Sequence, residues 1–193
     1  HKTPYFILGK GSNLLISDKG LSGIVISTER FTELTVEQEY ITASCGVTLK
    51  DLCNYACENG LSGLEFASGI PGSVGGAVFM NAGAYNYEIK DVLHSSVCIL
   101  PTWESINSLS PILYLKVEEH NFSYRHSVLQ DKELIHLSSV FHLKRDNSET
   151  IKRRMDEYQQ KRQQKQPLEL PSAGSVFRRP EGFYTGRLIE DCG

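Results

Sequence analysis

The chain has 193 residues, 40% of them hydrophobic and 22% charged, the proportions of an ordinary globular protein long enough to bury a core. Its formal net charge of -3 argues against a nucleic-acid partner, because phosphate backbones demand an excess of Lys and Arg. Cys45, Cys53, Cys57, Cys98 and Cys192 form no CxxC pair, which sets aside zinc and redox motifs, so no metal site is expected. Cys53 and Cys57 share a helical face with Leu49, Leu52 and Ala56, and read as small core residues of a reduced, cytosolic protein.

The chain opens HKTPYFILG, with no basic-then-apolar leader of the secretory kind. YFILG (5–9) and GIVIS (23–27) are short apolar runs beside glycine, predicted to be buried strands. LTVEQEYITASCG (34–46) alternates well enough for one or two strands. Thr48 is placed to cap a helix over LKDLCNYACEN, with Gly60 as its terminator. VLHSSVCIL (92–100), ILYLKV (112–117) and LIHLSSVFHLK (134–144) predict further strands; nothing is assigned over 101–111.

ETIKRRMDEYQQKRQQKQ (149–166) predicts an exposed helix with a thin apolar stripe at Ile151, Met155 and Tyr158, stopped by Pro167 and Pro171. Its Lys152, Arg153, Arg154, Lys161, Arg162 and Lys165 interleave with Glu149, Asp156 and Glu157, the pattern of a solvated face. A domain boundary is expected near residue 147. The chain stops at IEDCG, inside an amphipathic pattern, and is expected to be a fragment.

Between the first helix and the later strands, residues 66–87 read FASGIPGSVGGAVFMNAGAYNY without one charged side chain. Glycine, proline, serine and asparagine are too frequent there for a membrane-spanning helix, so no membrane insertion is expected. Gly-Ile-Pro-Gly and Asn-Ala-Gly mark tight turns with positive φ. Packed turns alone would explain one such glycine cluster. The density of glycine from 60 to 83 points further, because missing Cβ atoms let a ligand approach the main chain and successive N–H groups can cradle an anion. Ser73 and Asn81 add side-chain donors and acceptors. The run matches neither GxGxxG nor the Walker A pattern. A second glycine turn, GKGSN (9–13), follows the first predicted strand, and two such loops converging would make a dinucleotide or phosphate site.

Four blocks in order carry a more specific signal: GKGSNLLISDKGLSGIVI, LEFASGIPGSVGGAVFMNAGAYNYEIKDVL, FSYRHSVLQ and PSAGSVFRRPEGFYTGRLIED. Together they resemble the MurB family of UDP-N-acetylenolpyruvoylglucosamine reductases, in its shorter form that lacks a substrate-capping tyrosine loop. The resemblance implies an α+β fold: a vanillyl-alcohol-oxidase-type FAD-binding domain over 1–147, its N-terminal part missing, then the truncated start of an α/β substrate-binding domain over 148–193. It implies a cytoplasmic flavoprotein that uses NADPH and FAD to reduce UDP-N-acetylglucosamine enolpyruvate to UDP-N-acetylmuramate for peptidoglycan.

By that resemblance Gly9, Lys10, Gly11, Ser12, Asn13 and Leu14 would line the cofactor on one side. Gly69, Ile70, Pro71, Gly72 and Ser73, with Gly75, Gly76, Asn81, Ala82 and Gly83, would line it on the other. Arg125 matches the family's catalytic arginine, suited to gripping a carboxylate on which charge develops. Ser175 matches the serine that delivers a proton as general acid. Arg178 and Arg179 are candidates for the substrate's diphosphate or carboxylate, while His126 has no role in the pattern. The family's third catalytic residue, a glutamate, falls in a C-terminal segment outside these residues, and Glu190 is not its equivalent. The rival readings are another flavin oxidoreductase on the same scaffold and a non-catalytic flavin- or nucleotide-binding module.

Overall fold

The computed structural model describes residues 3–101, 111–166, 169–170, 174, 177–180 and 182–193. Strands β1 (Tyr5–Leu8) and β2 (Ile24–Ser27) pair with each other in parallel. β3 (Leu34–Glu37) and β4 (Tyr40–Ser44) form a hairpin whose turn places Gln38 at φ 54. Helix α1 (Leu49–Glu58) follows, then β5 (Leu61–Ser62), helix α2 (Val74–Phe79), and the short hairpin β6 (Gly83–Ala84) and β7 (Tyr87–Glu88). β8 (Leu93–Ile99), β9 (Ile112–Lys116), helix α3 (Val128–Asp131), β10 (Ile135–His142) and β11 (Lys144–Arg145) lead to helices α4 (Ser148–Lys165) and α5 (Thr185–Asp191).

The main sheet has the order β3-β4-β10-β8-β9 and is antiparallel throughout. Alternation along β4 and β10 sends Ile41, Ala43 and Phe141 into the core at no measurable exposure, each larger side chain contributing about 1.5–3 kcal/mol by leaving water. α1 covers this core with Leu49, Leu52, Cys53 and Ala56. Thr48 caps it as predicted, its Oγ1 accepting from the Asp51 N–H at 3.0 Å. Gly60 ends it at φ +63, where a Cβ would also stand 3.0 Å from the Asp146 carbonyl.

Three expectations need correction or extension. The apolar runs of β1 and β2 are strands, but half-buried to exposed: Ile24, Val25 and Ile26 are 55%, 45% and 43% exposed. They pair only with each other, and a two-stranded ladder has no second layer to cover its faces among the described residues. Within the glycine run, α2 forms between the two predicted turns, where no element is assigned. Low glycine propensity is overridden by contacts to β4 and β10 and by Ser73, whose Oγ accepts from the Gly76 N–H at 3.4 Å.

α4 keeps its predicted bounds within a residue, but its polar face is not simply solvated. Arg154 binds Glu65, Asp146 and Ser62, and Arg162 donates to the Gly69 carbonyl. Ile151 and Met155, beyond the boundary expected near 147, join the same core as α1 and β10. Pro167 and Pro171 lie outside the described residues, as do 102–110; no described helix is long and apolar enough to cross a membrane.

Candidate functional site

Strand β1 delivers the GKGSN turn directly against the glycine run. Ser12 Oγ donates to the Pro71 carbonyl at 2.8 Å, joining two loops far apart in sequence. The approach is so close that a Cβ on Gly9 would lie 2.5 Å from Ser73 Oγ, and one on Gly72 would lie 3.4 Å from Ser12 Oγ. Gly11 and Gly72 hold φ +68 and +155, conformations that side chains rarely adopt. Between the loops opens a cavity of about 980 Å³, at the top of the usual range of about 300–1,000 Å³ for small-molecule sites.

The predicted cofactor residues line this cavity, from Gly9 through Leu14 on one wall to Ala82 and Gly83 on the other, with two exceptions. Asn81 is fully buried, and its amide is spent on the protein. It donates to Glu88 Oε2 and the Ser123 carbonyl, each at 3.1 Å, and accepts from the Lys90 N–H at 3.1 Å. Gly69 faces α4 instead, its carbonyl held by Arg162. The N–H groups of Gly11, Ser12, Gly72 and Ser73 have no acceptor among the described residues. They are the donors an anionic group needs where no cation is spent on it. The lone lysine of the first loop, Lys10, sits 3.5 Å from Glu29. A cavity of this size, walled by bare glycine backbone and unspent N–H groups, fits a flavin dinucleotide.

Gly75 and Gly76 are needed for different reasons. A Cβ on Gly75 would stand 3.0 Å from Cys45 Cβ and 3.2 Å from the Cys45 carbonyl, whereas one on Gly76 meets nothing closer than Ser73 Oγ at 3.6 Å. Gly75 lets α2 pack on the end of β4, and Gly76 keeps the cavity wall open.

Arg125 lies on the cavity wall at φ 58. Its guanidinium donates to the Gly83 carbonyl at 3.1 Å and the Asn81 carbonyl at 3.4 Å, and stands 5.1 Å from the Tyr124 ring centre. Arg178 approaches the same ring at 5.6 Å, so both arginines stand against Tyr124. Arg179 turns elsewhere, over Tyr184 at 4.6 Å, and donates to the Phe183 carbonyl at 3.2 Å. His126 pairs with Asp131 at 3.0 Å. The connection from Arg125 to β10 is the single short helix α3, with no inserted loop. Ser175 lies outside the described residues.

The inner wall adds residues that pattern alone does not reveal. Cys45 and His136 border the cavity, both nearly fully buried. Burial raises the Cys45 thiol above its ordinary range, so it is a neutral wall and not a nucleophile. Burial pushes His136 down to about 3, and Nε2 shares a 2.7 Å hydrogen bond with Ser139 Oγ. Glu65, also buried, accepts from the Gly63 N–H at 2.7 Å and Ser62 Oγ at 2.9 Å and pairs with Arg154 at 3.1 Å. A smaller pocket of about 220 Å³ shares Ile70 with the large one and is edged by Lys161, Arg162 and Lys165. Lys161, Arg162 and Lys165, three of the helix's six basic residues, are the sequence signal for it.

Residues 1–104 match the model of an FAD-binding domain family. A UDP-N-acetylenolpyruvoylglucosamine reductase from Caldanaerobacter subterraneus is 48% identical over 192 residues, covering 100% of this chain and 61% of that protein. The same-named protein of Clostridium novyi is 45% identical over 190 residues, 98% of this chain and 60% of its own length. The crystal structure of UDP-N-acetylenolpyruvylglucosamine reductase (MurB) from Thermus caldophilus superposes with a TM-score of 0.80 at 33% identity, over 99% of this chain and 67% of that one. The chain belongs to the MurB family. It spans about three fifths of the length of the curated relatives it matches. The chain thus carries the family's FAD-binding domain, and the large cavity lies between the two glycine loops of that domain.

Proposed function

We propose that the protein, at its full natural length, is the cytoplasmic NADPH-dependent reductase of UDP-N-acetylglucosamine enolpyruvate, with FAD held in the large cavity. The observation that carries this reading is the pair of glycine loops joined by Ser12 and Pro71, whose residues line one cavity and whose backbone N–H groups are left without an acceptor among the described residues. Those donors would hold the cofactor's diphosphate without a cation. When bound, FAD supplies hydride transfer from nicotinamide to the enolpyruvyl double bond.

The remaining work falls to side chains. Arg125, on the cavity wall, would grip the enolpyruvyl carboxylate and stabilise charge developing there, its position fixed by the carbonyls of Asn81 and Gly83. Ser175 would deliver the proton to the adjacent carbon. Arg178, against the Tyr124 ring, would meet the substrate's charged groups. Arg179, committed to Phe183 and Tyr184 here, would have to release them to do the same. The basic edge of the small pocket supports a diphosphate-bearing substrate beside the cofactor. The division at 147 would separate the FAD-binding part from a substrate-binding part that begins with a helix docked on it.

The test is a titration of the full-length protein with FAD, followed by half-reaction kinetics. Binding should shift the flavin band near ~450 nm, as expected of a bound redox cofactor. Ser175→Ala should leave reduction by NADPH intact and slow reoxidation by the enolpyruvyl sugar nucleotide. No flavin binding would overturn the whole assignment, and equal loss in both half-reactions would remove Ser175 from proton delivery.

A further inference from the structure

Helix α4 touches the glycine run at two places, and the residue just before it at a third, through residues spaced four apart. Arg154 Nη2 pairs with Glu65 Oε1 at 3.1 Å, at the entrance to the run. The Tyr158 carbonyl accepts from Tyr85 Oη at 2.8 Å, near its end, and the two rings stack at 4.3 Å. Arg162 Nη1 donates to the Gly69 carbonyl, at the loop itself. Residues four apart lie on one helix face, so one stripe holds both the start and the end of the glycine run. Gly69 is built for this contact: a Cβ there would meet Arg162 Cδ at 3.3 Å and Gln159 Oε1 at 3.4 Å.

We propose that Arg162, supported by Tyr158 and Arg154, is a positioning residue that sets the cofactor loop from outside the large cavity. Of the two cavities it borders the smaller and not the larger. By binding the Gly69 carbonyl, Arg162 keeps an acceptor on the α4 side of the loop and away from the space where an anion would sit. The N–H groups of Gly72 and Ser73, a few residues on, then remain directed to ligand instead of to local turns. A charge-assisted bond to a carbonyl is among the stronger neutral-partner contacts available to fix a loop. The stripe also ties the segment after residue 147 to the cofactor loop. This proposal rests on FAD occupying the large cavity.

The experiment compares full-length wild type with Arg162→Ala, Arg162→Lys, Tyr85→Phe and, as a control on the exposed face of α4, Arg153→Ala. FAD dissociation constants are measured by flavin fluorescence, thermal midpoints on cofactor-free protein, and amide exchange over Ile70–Ser73 by mass spectrometry. Arg162→Ala should weaken FAD roughly tenfold, the value of one such bond, and speed exchange in the loop, with a midpoint within a few degrees of wild type. Arg162→Lys should recover most of the affinity, and Tyr85→Phe, which removes only a hydroxyl, should weaken FAD about threefold. Arg153→Ala should change nothing. An Arg162→Ala protein that binds FAD within twofold of wild type overturns the positioning role, as does equal weakening by Arg153→Ala. If Arg162→Ala does not fold, unchanged affinity in Tyr85→Phe overturns it. Wild type that binds no FAD overturns the flavin reading as well, which separates the two failures.

Discussion

Arg125 Nη2 donates to the Gly83 carbonyl at 3.1 Å while Nη1 reaches the Asn81 carbonyl at 3.4 Å, so one guanidinium closes the far end of the glycine run. The residue adopts φ 58, an unusual conformation for an arginine that costs on the order of 1 kcal/mol. Two carbonyls on the cavity wall fix that position, the preorganisation the proposed grip on a carboxylate requires.

Arg125→Ala in the full-length protein should therefore lower turnover in the proposed reaction at saturating FAD by roughly 100-fold, the scale for losing one preorganised donor at developing charge. Arg125→Lys should recover little, because an ammonium cannot bridge two carbonyls and a carboxylate in one plane. Steady-state rates checked against bound-flavin absorbance decide this; a loss below threefold in the alanine variant would remove Arg125 from the chemistry.

Gly75 and Gly76 should part company on substitution. Gly75→Ala drives a Cβ to 3.0 Å from Cys45 Cβ and 3.2 Å from its carbonyl, and forced overpacking of this kind costs about 1–3 kcal/mol. Gly76→Ala has only an ordinary 3.6 Å contact to Ser73 Oγ and gains up to about 1 kcal/mol of helix propensity. Thermal melts of cofactor-free protein should show Gly75→Ala well below wild type and Gly76→Ala at or above it. FAD titration should then show Gly76→Ala weakened, since its methyl projects from the cavity wall. Equal melting temperatures for the two would contradict the packing.

Stability should fall in mild acid through two buried imidazoles. His120 shares a 2.8 Å hydrogen bond with Ser96 Oγ, and His136 one of 2.7 Å with Ser139 Oγ. Burial lowers them from 6.5 to about 4 and about 3 respectively. The unfolded chain therefore binds more protons than the folded one below pH 6.5, and stability rises with pH across that window. It is full above the unfolded value and declines as pH drops toward the folded values, His120 accounting for on the order of 3 kcal/mol by pH 4. Urea denaturation at pH 7.5 and pH 5 should show the drop, and a His120→Gln, His136→Gln double variant should flatten it. An unchanged slope in that variant would assign the acid sensitivity to other groups.

Much of this fold is legible because alternation and capping are local. Ile41, Ala43 and Phe141 fall on one face by period alone, and Thr48 with Gly60 brackets α1. What is not legible depends on partners distant in sequence. Ile24 to Ile26 look like an interior strand, yet burial needs a second layer that a run of four residues cannot announce. Asn81 has a ligand-binding residue's chemistry but spends it on Glu88, Lys90 and Ser123. Gly69 reads as part of the cofactor loop and serves α4 instead. Arg154 and Arg162 sit among solvated lysines, and only the folded chain distinguishes them from Arg153.

Glu65 provides the last test, because it is charged, buried and close to the cofactor loop. It accepts from the Gly63 N–H at 2.7 Å and Ser62 Oγ at 2.9 Å while facing Arg154 at 3.1 Å. Removing the carboxylate leaves buried donors without an acceptor, and breaking such a set costs about 2–4 kcal/mol. Glu65→Ala should lose stability on that scale, and Glu65→Gln about half as much because one oxygen remains to accept. A double-mutant cycle with Arg154→Met should give a coupling above about 1 kcal/mol, as residues in one network are not additive. Additive losses in urea denaturation would mean that Arg154 spends its charge on Asp146 alone, and that the entrance to the glycine run is held by Ser62 and Gly63 without it.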